Sequence, residues 1–152
     1  MVIFTYLKTK GYKMNEATKA IIKATAPVLK EHGEAITTEM YKVLFSKYPE
    51  TQVLFKDAST DQHKKLAAAV YAYAANIDKL ENLSKGIEQM AAVHVKTNVK
   101  PEHYPMVGDA LLQAIKTVLG DVATDEVMAA WEEAYGFLAD VLIAKEKELY
   151  TL

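Results

Sequence analysis

The spacing of apolar residues is the feature that most limits how this chain can fold. From Asn15 to Tyr150, apolar side chains recur every three or four residues, a spacing that places them on one face of an α-helix. Alternation with period two, and the Asn-Gly or Asp-Gly pairs of tight hairpins, do not occur in the sequence. The sequence therefore predicts an all-α fold.

Residues typical of helix ends divide this pattern into separate helices. Asn15 and Thr124 are predicted N-caps, and Gly33 is predicted to end the first helix. Ser59 and Gln62 have the spacing of a capping box, which would open a further helix. The predicted helices cover residues 15–33, 34–48, 49–55, 59–80, 83–98, 101–120 and 124–150.

The charged residues argue against nucleic-acid and membrane partners. The formal net charge is −2 and all 18 basic residues are lysines, so arginine-type recognition of phosphate or guanine is not available. No segment approaches the ~18 apolar residues of a membrane span. The chain has no cysteine, which excludes thiolate ligands and disulfides and fits a cytoplasmic location.

Residues 1–13 differ from the rest of the chain, so we assign the folded domain to residues 14–152. Residues 2–7 are apolar but lack the preceding positive charge and the cleavage site of a secretory signal. The alternatives for this N-terminal extension are a disordered tail, an upstream start before a natural one at Met14, and an anchor lying on a membrane surface.

A single histidine stands out as a possible metal ligand. Four residues share one predicted helix face at spacings of four, three and four: Leu83, Ile87, Met90 and His94. The first three are apolar, and a neutral imidazole at the edge of such a face can bind iron, zinc or copper. The spacing by itself favours the alternative, a core histidine bonded to a carbonyl group, because a lone histidine is a weak motif. No HExxH, P-loop or GxSxG pattern accompanies it.

The order of several sequence stretches along the chain resembles that of a known family. The chain is similar to globins, in particular to single-domain bacterial haemoglobins and to the haem domain of flavohaemoglobins. The resemblance extends from Asn15 to Tyr150 and implies a three-on-three helical sandwich around one haem b. The matching stretches are 23–30 (KATAPVLK), 36–45 (ITTEMYKVLF), 53–55, 62–66, His94, 103–108 (HYPMVG) and 130–136 (AAWEEAYG).

The resemblance also implies roles for residues on the proximal side of the haem. His94 resembles the ligand of the haem iron, while Tyr104 and Glu148 resemble its partners in a hydrogen-bonded network. A hydrogen-bond acceptor on the second imidazole nitrogen raises the basicity of the ligand and pushes electron density toward iron. Without that role, Glu148 would be a solvated carboxylate near the end of the last helix.

On the distal side, Tyr41 resembles the tyrosine whose hydroxyl faces the gas ligand, and Phe55 the phenylalanine that stacks on the porphyrin. Gln62 and Leu66 match a distal pair one helical turn apart. Tyr41 could instead be an ordinary buried tyrosine, and Gln62 could serve only to cap its helix. His63 is a competing distal residue, since it lies three positions before Leu66.

By this resemblance the protein binds oxygen reversibly, and also nitric oxide and carbon monoxide. It would support the conversion of nitric oxide to nitrate. The chain ends at Leu152, so we expect an external flavin or other reductase to supply electrons. The alternatives are an oxygen storage or delivery protein without turnover and a haem-less helical interaction module. The sequence does not separate enzyme from carrier, and it leaves the oligomeric state open, a homodimer included.

Overall fold

The computed structural model describes residues 14–151, and this range contains helices and no strands. The predicted all-α class is therefore confirmed. The predictions for residues 1–13 lie outside the described range. The α-helices are α1 (Glu16–Lys47), α2 (Gln62–Ala75), α3 (Ser84–Lys96), α4 (His103–Leu119) and α5 (Asp125–Tyr150). Short 3₁₀ helices cover Pro49–Phe55, Leu80–Leu83 and Gly120–Val122.

Two of the predicted helix starts and one helix end follow their local signals. The Asn15 side chain accepts a hydrogen bond from the backbone N–H of Ala17 at 2.7 Å, and the Thr124 hydroxyl accepts one from Val127 at 3.2 Å. Both residues therefore act as N-caps, as predicted. Helix α4 ends at Leu119 and is capped by Gly120, whose φ of 55° is favourable for glycine and costly for other residues.

The predicted break at Gly33 is wrong, because one helix of 32 residues replaces the two that we expected. Gly33 is buried inside α1, and its backbone packs against Ala67 of α2. Helix α1 also contacts α4 and α5 along its length. Because tertiary packing supplies most of the stability of a helix, these contacts outweigh a local glycine.

The capping box and one predicted helix start are also wrong. Ser59 donates a hydrogen bond to the carboxylate of Asp61, and Asp61 occupies the N-cap position of α2. Gln62 is therefore the first helical residue, and its side chain is available to the interior. Helix α4 begins at His103 rather than Pro101, because residues 101–102 form a turn.

The helices enclose a core with two parts. The larger part surrounds α1 and contains its fully buried Ile22, Ile36, Met40 and Leu44. The smaller part lies where α3, α4 and α5 meet, and it includes Ile87, Tyr104 and Leu142. None of the described helices is both long enough and apolar enough to cross a membrane.

Candidate functional site

A cavity of about 360 Å³ lies between the two parts of the core, and its walls are mostly apolar. Residues from all five α-helices line it, among them Met40, Leu66, Ile87, Leu111 and Leu138. Tyr41 and Gln62 contribute polar groups from α1 and α2, and His94 contributes its imidazole from α3. The cavity therefore brings together most of the site residues that the resemblance implied.

The imidazole of His94 is held by two polar side chains. Its Nδ1 lies 2.9 Å from the hydroxyl oxygen of Tyr104 and 2.9 Å from Oε2 of Glu146. The Tyr104 hydroxyl in turn donates to the same Glu146 oxygen at 2.7 Å. Glu146 is only 3% exposed, so its carboxylate is buried against both donors.

The protons of this network can be assigned from its geometry. Burial, together with the hydrogen bond and negative charge of Glu146, raises the pKa of Tyr104, so its hydroxyl stays protonated. Its one proton goes to Glu146, and the imidazole proton therefore resides on Nδ1, directed at the same carboxylate. The lone pair of Nε2 is left free on the side of the ring away from Nδ1, as a metal ligand requires.

Glu146, and not Glu148, is the acidic partner of His94. Glu148 is exposed and makes no described hydrogen bond to the imidazole. Two residues along a helix correspond to a rotation of about 200°, so the two carboxylates face nearly opposite directions. Glu146 follows Leu142 by four residues, on the buried stripe of α5. That spacing is the sequence signal by which Glu146 could have been found.

The side chains around Tyr41 form an aromatic cluster. The ring of Phe55 lies edge-on to Tyr41 at 5.2 Å between centroids, and Phe45 lies 5.7 Å from Tyr41 and 5.6 Å from Phe55. Burial raises the pKa of Tyr41, and a hydrogen bond with Gln62 offsets part of that rise. The Tyr41 hydroxyl therefore remains a proton donor at neutral pH.

His63 lies outside this cavity. It lines a neighbouring cavity of about 370 Å³ together with Tyr41, Phe55 and Gln62, which border both spaces. Its Nε2 is 4.0 Å from a carboxylate oxygen of Glu34. Among the two competing distal residues, the structure thus places Gln62 on the cavity that contains His94, and His63 beside it.

Three further aromatic residues brace the walls. The hydroxyl of Tyr73 donates to the backbone oxygen of Ala134, and that of Tyr135 donates to the backbone oxygen of Tyr104, both at 2.7 Å. Trp131 donates its indole N–H to Thr25. Gly108 permits the close approach of Tyr135, since a Cβ at that position would lie 2.7 Å from the ring. The Tyr135 contact fixes the backbone of Tyr104.

The cavity suits a large apolar group that carries its own metal. Within residues 14–151 no cluster of three or more acidic, histidine or cysteine side chains is arranged to hold a bare ion. His94 would thus be a single protein ligand, which fits a metal whose other positions are filled by a macrocycle. The apolar walls and the edge of Phe55 match a flat hydrophobic ring system.

Comparison with known proteins identifies the family. A sequence model of the Globin family matches residues 38–142. An uncharacterized globin-like protein of Aquifex aeolicus is 56% identical over 138 residues, which cover 91% of this chain and 98% of that protein. The flavohemoprotein of Oceanobacillus iheyensis is 53% identical over 140 residues, which cover 90% of this chain and 34% of that protein.

A solved structure agrees with these relatives. An engineered carbene transferase, derived from a candidate nitric oxide dioxygenase of Rhodothermus marinus, is 41% identical and has a TM-score of 0.88. The match covers 91% of this chain and 97% of that one. The chain therefore belongs to the globin family, and the expected globin fold is confirmed. Family membership supports haem-based binding of a gas ligand. The chain spans about a third of the flavohemoprotein that it matches.

Proposed function

We propose that the protein holds one haem b in the cavity, with His94 as the iron ligand. In this role it binds oxygen reversibly and supports the conversion of nitric oxide and oxygen to nitrate, using electrons from a reductase. The Globin match and the flavohemoprotein relative support the haem, and the Rhodothermus structure supports the reaction.

The observation that carries the proposal is the buried carboxylate behind His94. Glu146 accepts hydrogen bonds from both the imidazole Nδ1 and the Tyr104 hydroxyl. An imidazole whose proton is directed at a carboxylate has partial anionic character, so it is a stronger electron donor to a metal on Nε2. Such donation favours redox turnover, whereas an oxygen store needs only a neutral ligand.

The distal residues act on the gas ligand. The Tyr41 hydroxyl is a protonated donor at the cavity wall, and Gln62 offers an amide beside it. A donor directed at a ligand that develops negative charge holds it by a charge-assisted hydrogen bond. The aromatic rings of Phe45 and Phe55 keep the Tyr41 ring in place.

The overall reaction defines what the partners must provide. When bound, the haem iron supplies reversible gas binding and a one-electron redox change. Nitric oxide, dioxygen and one electron together form one nitrate ion. Because each turnover consumes one electron, sustained activity depends on a reductase. A flavin-containing partner is the class that the flavohemoprotein relative suggests.

The experiment that tests this proposal separates turnover from single oxidation. The oxygenated protein is mixed with nitric oxide in a stopped-flow instrument, then supplied with NADH and a flavin reductase. We expect one nitrate per nitric oxide and repeated cycles without loss of the Soret spectrum. Oxidation in the first cycle, followed by no re-reduction with several reductases, would favour the oxygen carrier. A protein that takes up no haem would overturn the proposal altogether.

Matched variants connect the experiment to the site. Glu146→Gln should slow turnover, while Glu148→Gln, which changes an exposed carboxylate on the same helix, should leave it unchanged. Equal rates for both variants and the unmodified protein would show that the carboxylate behind His94 does not drive turnover.

A further inference from the structure

The polar groups that line the cavity can be accounted for one by one. Tyr73, Tyr135 and Trp131 direct their donors into the protein, at Ala134, Tyr104 and Thr25 respectively. The Tyr104 hydroxyl is committed to Glu146. Tyr41 and Gln62 are adjacent to each other on the distal wall, where the gas ligand is proposed to bind.

His103 is the remaining donor on the cavity wall. It lies at the start of α4, borders the cavity and is half-buried, so part of the residue is also in contact with solvent. Its Nδ1 accepts a hydrogen bond from the backbone N–H of Lys100 at 2.9 Å. A neutral imidazole has one donor and one acceptor nitrogen, so the proton of His103 is on Nε2. Within the described residues this N–H has no protein acceptor.

The loop before α4 holds His103 in this orientation. Asn98 adopts a left-handed conformation with φ of 68°, and the next N–H, that of Val99, donates to the backbone oxygen of His94 at 2.8 Å. The Tyr150 hydroxyl donates to the oxygen of Val99 at 2.6 Å. The loop is thus tied both to the helix of the proposed iron ligand and to the C-terminal end of α5.

Among the described residues, no lysine or arginine side chain lines the cavity wall to pair with an anionic group. The chain contains no arginine. Lys100, the lysine nearest to His103 in sequence, places its ammonium 3.9 Å from the ring centre of Tyr150. That cation–π contact occupies it away from the cavity.

We infer that the Nε2–H of His103 binds a propionate carboxylate of the haem, and that His103 thereby anchors the cofactor at the mouth of the cavity. This inference rests on the proposed haem binding. Haem b is apolar except for its two propionates, and a carboxylate at the edge of an apolar cavity needs a hydrogen-bond donor or water. His103 is a donor whose tautomer is already set by the loop.

Two substitutions separate the anchoring role from the support of the loop. In His103→Asn the side-chain oxygen can replace Nδ1 as the acceptor for Lys100, but the donor toward the cavity is lost. In His103→Gln a longer amide can reach the position of Nε2 and donate. We expect haem release to a scavenging apoglobin to be about tenfold faster for His103→Asn. It should change less for His103→Gln.

An esterified cofactor provides the decisive comparison. Each protein is also reconstituted with haem dimethyl ester, in which both propionates have lost their negative charge. With this cofactor the two variants should release haem at rates within about twofold of the unmodified protein, because the charge-assisted bond is absent for all. His32→Asn, an exposed histidine outside the cavity, is the matched control and should change neither rate.

Each outcome decides the inference. An equal acceleration of release for the native and esterified cofactors would overturn it, because His103 would then act through packing. Unchanged release in His103→Asn would also overturn it. Uptake of normal haem by the unmodified protein keeps these results separate from the proposed haem binding, which fails if no haem binds. Circular dichroism of the cofactor-free variants verifies that each remains helical.

Discussion

The two walls of the cavity differ in how completely their polar groups are used. On the proximal wall, His94, Tyr104 and Glu146 form a closed network in which a buried carboxylate is bonded to both neighbours. On the distal wall, Tyr41 is held mainly by packing against Phe45 and Phe55, and both Tyr41 and Gln62 border a second cavity of about 370 Å³. The polar groups of the proximal wall are therefore bonded to one another, whereas the distal wall has hydrogen-bond donors and an adjoining cavity available for a ligand.

This difference matches what each wall would have to do. A metal ligand must keep one orientation, and a network of charge-assisted hydrogen bonds holds the imidazole in that orientation. A gas ligand must enter and leave, so its donors cannot all be engaged by the protein. The contrast predicts that proximal substitutions change haem affinity and the iron–histidine bond. Distal substitutions should change the residence time of the gas ligand.

The largest expected effect is that of His94→Ala on the proximal wall. It removes the nitrogen proposed to bind iron, so the iron–imidazole bond should be lost and haem affinity should fall steeply. Resonance Raman spectroscopy of the ferrous protein, in which the iron–histidine stretching band should vanish, is the measurement. Added imidazole should restore the band by filling the space. Retention of the band without imidazole would show that another histidine is the ligand.

On the distal wall, Tyr41→Phe should give the next largest effect. A charge-assisted hydrogen bond contributes ~1.5–3 kcal/mol, so oxygen release should become roughly 10- to 150-fold faster. Carbon monoxide develops less charge and should respond far less, which makes its release rate the internal control. Stopped-flow ligand displacement measures both rates.

Two neighbouring variants test whether Tyr41 is the correct donor. Gln62→Leu should accelerate oxygen release less than Tyr41→Phe, because Gln62 assists the hydroxyl. His63→Leu should do little, since His63 lines the adjacent cavity and not the one that contains His94. A larger effect of His63→Leu than of Tyr41→Phe would mean that the distal donor is His63.

A smaller effect, of about tenfold on turnover, is expected for Glu146→Gln. The neutral amide accepts the imidazole proton less strongly, so the iron–histidine stretching frequency should fall. Tyr104→Phe removes a competing donor from the same carboxylate and should raise it while the ring still packs, and Glu148→Gln should leave it unchanged. An unchanged frequency in both Glu146→Gln and Tyr104→Phe would show that the network is only structural.

The smallest expected effect concerns a contact between α1 and α4, the helices that carry Tyr41 and Tyr104. Hydrogen bonds from Lys47, Gln113 and Tyr48 lower the pKa of Asp109 from about 3.8 to about 2. Those from Lys47 and Tyr48 connect the end of α1 to α4, and Gln113 belongs to α4 itself. Because the folded protein binds this proton more weakly than the unfolded chain, the contribution is complete above about pH 4 and disappears as the pH falls toward 2.

Asp109→Asn tests this contribution. The ion pair between Asp109 and Lys47 is partly exposed, so the loss in unfolding free energy at pH 7 should be at most about 1 kcal/mol. Urea denaturation at pH 7 and at pH 2 to 3 is the measurement, and the difference between variant and parent should shrink at the lower pH. A difference that stays constant over this range would contradict the assigned ionisation.

Local sequence signals were sufficient for several parts of this structure. The helical spacing of apolar residues predicted the all-α class, and Asn15 and Thr124 were identified as N-caps because capping depends on neighbouring residues alone. The same spacing predicted that His94 lies on the same face as Ile87 and Met90, and all three line the cavity. Such features depend on residues within two helical turns.

The tertiary structure decided what depends on distant residues. The break expected at Gly33 did not occur, since α1 packs against α2, α4 and α5 over its length. Glu146 rather than Glu148 contacts His94 across 52 residues of sequence, and only the rotation of α5 against α3 determines which carboxylate points inward. Likewise, the proton on His103 Nε2 follows from the path of the loop at Lys100. A sequence determines the faces of its helices, but the rotation of each helix against its neighbours depends on the packing of the whole core.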